Sequence, residues 1–168
     1  MRALAFCLVL VSQWTLSSVG QQSASTGQPA TAPCTFDDGK QISVQYNNSA
    51  AKAEERLRRG KPWEPGGSPM ILFTQAGLTL GNSEIKEGAY SLYVIPEKQT
   101  WTLVVNRNVT AGTNYDEKQD LARAPMQIGQ IESPAKQPQI VFGHTAPKQC
   151  NMRLYYETTW AWLEFRER

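Results

Sequence analysis

Apolar residues along this chain fall mostly at every second position. Ile42, Val44 and Tyr46 alternate with polar neighbours, and Asp38-Gly39 just before them is a tight-turn signal, so residues 36–46 read as a hairpin. Period two returns over 70–75, 78–80, 89–95 and 101–106, with turns at Gly81-Asn82 and 96–99. Tyr90, Leu92 and Val94 share one face, as do Trp101, Leu103 and Val105, and pairing the two sets across a hairpin builds a core wall. Weaker strands are expected over 121–131 and 139–142, separated by Pro134 and Pro138. Met152, Leu154 and Tyr156, then Ala161, Leu163 and Phe165, close the chain in strand phase.

One segment departs from this period. Ser49 suits an N-cap, Ala50, Ala53 and Leu57 follow at helical spacing, and Gly60 and Pro62 end the run. Arg56, Arg58, Arg59 and Lys61 make that end basic, which complements a helix dipole. The pattern predicts an all-β, mostly antiparallel fold: a β-sandwich of about eight to ten short strands with one short helix near 49–59.

Composition narrows the picture. The 168 residues suit one domain, and 40% hydrophobic with 19% charged residues fits a folded one. A formal charge of +2 gives no reason to expect nucleic acid as a partner, and a single His removes every multi-His metal site. No cofactor and no metal is expected.

The N-terminus reads as an export signal. Arg2 is the only charge before Asp37, the apolar run 3–11 follows, and small residues lead to Gly20. That run is far short of the roughly 20 residues a membrane span needs, and no later stretch supplies one. The alternative is an N-terminal anchor. Residues 1–20 are therefore taken as a signal peptide, 21–33 as an uncharged, disordered leader, and 34–168 as the single domain. The expected location is outside the cytoplasm, periplasmic or extracellular. Cleavage removes Cys7 and leaves Cys34 and Cys150, which in an exported chain read as one disulfide. Two free thiols are the alternative.

Residues 84–107, EIKEGAYSLYVIPEKQTWTLVVNR, resemble the signature of the domain of unknown function 2911 family. Its pattern is a Gly before a Tyr-Ser-Leu strand ending Ile-Pro, then a Trp-Thr-Val strand ending in Asn. Gly88, Tyr90, Ser91, Leu92, Tyr93, Ile95, Pro96, Trp101, Thr102, Val104 and Asn106 fill it here. The resemblance implies an exported bacterial protein with one β-rich domain and carries no established activity. It covers residues 34–166 and is specific in the hairpin. Gly60, Lys61 and Trp63 also match, but the Arg, Asn and Glu that follow in the family are replaced by 64–69, EPGGSP.

Candidate chemistry is sparse. His144 is the one possible imidazole base, and no nucleophile-elbow motif accompanies it. Asp37-Asp38, Glu54-Glu55 and Asp116-Glu117 are adjacent pairs, and neighbours on a strand point to opposite faces. Asp116, Glu117 and Asp120 could offer oxygens to a cation, without the spacing of an EF-hand. Asn47-Asn48-Ser49 and Asn108-Val109-Thr110 match a glycosylation pattern that has force only in a eukaryotic secretory route. The most informative feature is Trp160 and Trp162, which share the face opposite Ala161, Leu163 and Phe165. Arg153 and Tyr155 likewise oppose their strand's apolar face. Aromatics in a row on a sheet can stack on sugars or seat a partner. Trp160, Trp162, Tyr155 and Arg153 are the expected ligand-binding residues of a non-enzymatic envelope protein, with a polysaccharide or an envelope protein as partner. The alternatives are a hydrolase using His144 or converging carboxylates, and a structural subunit of an envelope assembly.

Overall fold

A computed structural model describes residues 29–49 and 57–168. Its strands are β1 (Pro29–Thr35), β2 (Gln41–Asn47), β3 (Met70–Thr74), β4 (Leu78–Leu80), β5 (Ser83–Ile85), β6 (Gly88–Pro96), β7 (Trp101–Asn106), β8 (Asp120–Ala146) and β9 (Gln149–Glu167). All pairings are antiparallel, in the order β1-β2-β3-β6-β7-β8-β9-β4-β5. The all-β expectation holds, and nine strands fall within the expected number.

The sheet is open, with β1 and β5 at its edges, yet it is strongly folded over. β1 and β9 stand six places apart in the order, which in a flat sheet would be about 29 Å. A disulfide joins Cys34 on β1 to Cys150 on β9 with 6.3 Å between their Cα atoms. Two layers therefore face each other, and all nine strands contribute to one buried cluster. The layers meet through β8, which pairs with β7 over its first residues up to Met126 and with β9 from Gln127 onward. A strand that changes partner in this way forms a corner between two layers.

The hairpin β6–β7 forms with the expected register: Leu92 opposite Val105, Val94 opposite Leu103, Pro96 opposite Trp101. Trp63 extends this wall through a backbone bridge to Val94, and its ring lies 5.9 Å from Trp101 and 4.5 Å from Tyr156 on the other layer. The β1–β2 turn closes through the Gly39 N–H donating to the Phe36 carbonyl, 3.0 Å.

Three expectations change. Strand pairing starts at Pro29, so 29–33 belong to the sheet rather than to a leader. Backbone pairing with β2 needs no large side chains, and Ala32 and Cys34 turn inward. The strands at the chain's end are long rather than short: β8 has 27 residues and β9 has 19. Pro134 and Pro138 interrupt the ladder without ending it, because they sit where the register with β9 slips, between Gln130 and Gln139. The helix expected near 49–59 lies largely outside the described residues, as do the signal peptide and residues 21–28 of the leader.

Segment 64–69, where the chain departs from the family pattern, packs tightly. Gly66 has φ +82°, and a Cβ there would run into the Asn47 carbonyl. Only Gly fits that approach.

Candidate functional site

Strand β9 presents its outer face in two halves. Met152, Leu154 and Tyr156 point inward, and so do Ala161, Leu163 and Phe165. Ala161 lies five positions after Tyr156, an odd number, so alternation must slip once between them. It slips at Glu157, which adopts φ 49°, the one positive φ of a non-Gly residue among those described. Arg153 and Tyr155 before the slip, and Trp160 and Trp162 after it, all lie on the outer face, as their alternation predicts.

The slip brings three of these four together. The Arg153 guanidinium stands 5.6 Å from the centre of the Trp160 ring, within cation–π range. Seven residues of straight strand span about 23 Å, so β9 is bent and shortened across Glu157. Arg153 Nη1 also lies 3.4 Å from Tyr155 Oη, at the long limit of a hydrogen bond. Trp160 is paired with Gly129 on β8, and its indole occupies the space a Cβ there would fill. One purpose of this tryptophan is thus internal: it covers a bare stretch of backbone. Trp162 lies opposite Gln127, half-buried, with no ring partner among the described residues. Next to Arg153 and Tyr155 a shallow cleft of about 200 Å³ opens beside Val141, which is 43% exposed. The rest of its lining includes Asn151 and Thr145.

A second constellation, not expected from the sequence, lies on the outer face of β6 and β7. Tyr93 and Val104 point away from the core, yet they are 2% and 0% exposed. The connection from β7 to β8 covers them. Tyr115 packs edge-on against Tyr93 at 4.9 Å, and Ser91 Oγ donates to the Asn108 carbonyl, 2.7 Å. Asp120 organises the polar groups. It accepts from Asn106 Nδ2 at 2.8 Å, from Tyr115 Oη at 2.7 Å and from Arg123 Nε at 2.8 Å. Arg123 Nη2 in turn donates to Tyr115 Oη at 2.8 Å and stands 2.9 Å from Glu117. Burial, reinforced by the hydrogen bond to Asp120, pushes the Tyr115 phenol up to about 12. Burial also raises Tyr93, with the Glu64 charge adding to it. The hydrogen bond to Asp120 raises the Arg123 guanidinium further. Asp116 caps the 3-10 turn Glu117–Gln119 by accepting from the Lys118 N–H. Asp116, Glu117 and Asp120, whose oxygens could suit a cation, are thus engaged by protein donors, and no cluster of metal-ligating side chains occurs among the described residues. The signal available for this network was the unbroken apolar run from Leu92 to Ile95 facing Leu103 to Val105, which implies cover on both faces.

His144 and Asp37 come together at the disulfide end, 3.2 Å apart, both well exposed. The Asp37 N–H donates to the Pro147 carbonyl there, 3.1 Å. Beside them Lys40 binds Asp38 at 2.6 Å and the buried Glu167 at 3.2 Å. The Lys40 hydrogen bonds lower the Asp38 carboxyl and raise the Lys40 ammonium. No hydroxyl or thiol pairs with His144 among the described residues.

Fold and surface thus define a disulfide-closed β-sandwich with one outer face covered by its own loop and another that no described residue covers. The chain belongs to a family of proteins of unknown function, DUF2911, whose model matches residues 28–165. No curated protein and no solved structure matches it. Among the described residues no helix is long and apolar enough to cross a membrane.

Proposed function

We propose that this is an exported, non-enzymatic binding protein of the bacterial cell envelope, with its contact surface on the outer face of β9. The observation that carries this reading is the Arg153–Trp160 stack beside Tyr155, next to a shallow cleft and the exposed Val141. A ring with a cation over it, a phenol and nearby amides offers both a flat apolar platform and hydrogen-bond donors, the combination a glycan needs. Export is supported by the N-terminal apolar run and by the Cys34–Cys150 disulfide, which is characteristic of oxidising compartments.

The test is a titration of the purified protein with envelope and plant polysaccharides, reading tryptophan fluorescence and Tm together. A saturable change in both is expected, lost in Trp160→Ala with Trp162→Ala. Because Trp160 covers Gly129, Arg153→Ala with Tyr155→Ala is measured alongside and should lose the response while keeping its fold. Silence across the panel rejects a glycan, and capture of an envelope protein on this face becomes the alternative.

One observation favours a hydrolase as the second reading: Asp37 stands within 3.2 Å of His144. Hydrolysis of nitrophenyl esters and glycosides, abolished by His144→Gln, would establish it. Rates equal to background in the wild type reject it.

A further inference from the structure

A cleft of about 590 Å³ opens where the first residues of β6 meet the end of β7 and the start of β8. It shares no lining residue with the cleft beside Arg153. Ala89, Tyr90 and Leu121 give it an apolar side, and Lys86, Glu87 and Arg107 a charged one. The Tyr90 ring packs against the core, and its hydroxyl donates to the Lys86 carbonyl at 3.1 Å. That bond ties the β5–β6 connection to the ring, so the wall of the cleft is set by the fold.

The charges around it are unevenly satisfied. Glu84 at the rim is neutralised by Arg168, 2.8 Å away. Away from the cleft, Arg123, Arg153 and Arg166 have partners in Asp120, Trp160 and Glu164. Among the described residues, the Arg107 guanidinium and the Lys86 ammonium have none. Glu87 places a carboxylate oxygen 4.0 Å from where a Cβ on Gly77 would stand, on the side of the β3–β4 turn. Two unpaired cations against one carboxylate leave the cleft net positive.

We propose that this cleft binds a small carboxylate with an apolar body. The carboxylate lies on Arg107, with Lys86 beside it, and the body lies against Tyr90 and Leu121. A guanidinium is a planar fork that matches a carboxylate through two parallel hydrogen bonds. The volume falls within the range of small-molecule sites.

The test uses 3-phenylpropionate as probe and the neutral 3-phenylpropan-1-ol as its counterpart, titrated into the isotope-labelled protein by NMR. Saturable shifts are expected at the amides of 86–90, Arg107 and Leu121. The alcohol should bind about tenfold more weakly or worse, and Arg107→Gln should weaken the acid by a similar factor at unchanged Tm. Lys86→Gln, in the connection between β5 and β6, gives a second comparison independent of how R107Q folds. Equal affinity for the two probes, or full affinity in both variants, overturns the carboxylate assignment. Shifts absent from these residues overturn the site.

Discussion

The outer surface over β6 and β7 and the outer surface over β8 and β9 belong to one sheet and are finished in opposite ways. Over the first, the connection following β7 folds back, buries Tyr93 and Val104, and gives Asp120 three donors. Over the second, no loop among the described residues lies down: Arg153 leans on Trp160, Trp160 covers Gly129, and Val141 stays exposed. Where the chain covers its own surface, polar groups are satisfied internally and the region reads as an extension of the core. Where the described residues do not, the same kinds of side chain remain available to something else.

The contrast can be broken at graded cost. The largest effect is expected at the Cys34–Cys150 bond, which ties β1 to β9 across the two layers: Cys34→Ser with Cys150→Ser should cost about 4–5 kcal/mol by loop-closure entropy, read as a shift in urea midpoint. An unchanged midpoint would mean the sheet's fold-over does not depend on the bond. Asp120→Ala removes the acceptor shared by Asn106, Tyr115 and Arg123 and should cost about 2–4 kcal/mol in the same measurement. Gly129→Ala forces Trp160 off the backbone and should cost about 1–3 kcal/mol, with a change in near-ultraviolet circular dichroism. Arg153→Ala should cost no more than about 1 kcal/mol, because Arg153 is exposed and its partners only half-buried, while abolishing any ligand response of this face. If Arg153→Ala proved as damaging as Asp120→Ala, the two surfaces would be alike and the contact surface would have to be sought elsewhere.

Titration sharpens the same comparison. Tyr115 has a higher pKa folded than its ordinary 10.0, so the fold favours the protonated phenol. Its contribution is whole below pH 10 and is lost as pH rises through about 12. Spectrophotometric titration of the phenols should show Tyr115 ionising late. In Asp120→Asn, which removes the charge raising it, ionisation should come earlier.

What the sequence made legible is local. Alternation gave β2, β4, β6 and β7 nearly to the residue, and it placed Arg153, Tyr155, Trp160 and Trp162 outward, because period two needs no knowledge of partners. Signal composition and two cysteines pointed to the disulfide. Illegible were features decided by distant pairing. β1 has small side chains and earns its place through backbone hydrogen bonds to β2. β8 crosses two prolines because its partner slips register there. The Tyr115–Asp120–Arg123 network exists only once a loop lies on a hairpin, and no spacing in 107–123 announces that. Nor could spacing show that seven residues of β9 would be drawn together at Glu157, so that Arg153 and Trp160 touch.

The disulfide also decides how the molecule would carry a mechanical load. Cys34 and Cys150 are 116 positions apart and lie near the two ends of the folded region. A pull applied between those ends travels through the sulfur–sulfur bond and leaves the enclosed strands slack. About 400 Å of extensible chain is withheld from the force in this way. A tethered copy stretched in an optical trap should lengthen by only a few tens of ångströms until a reductant is added, and then give up the remainder. For a chain whose two ends were anchored to different structures, that makes the domain a stiff link rather than a spring.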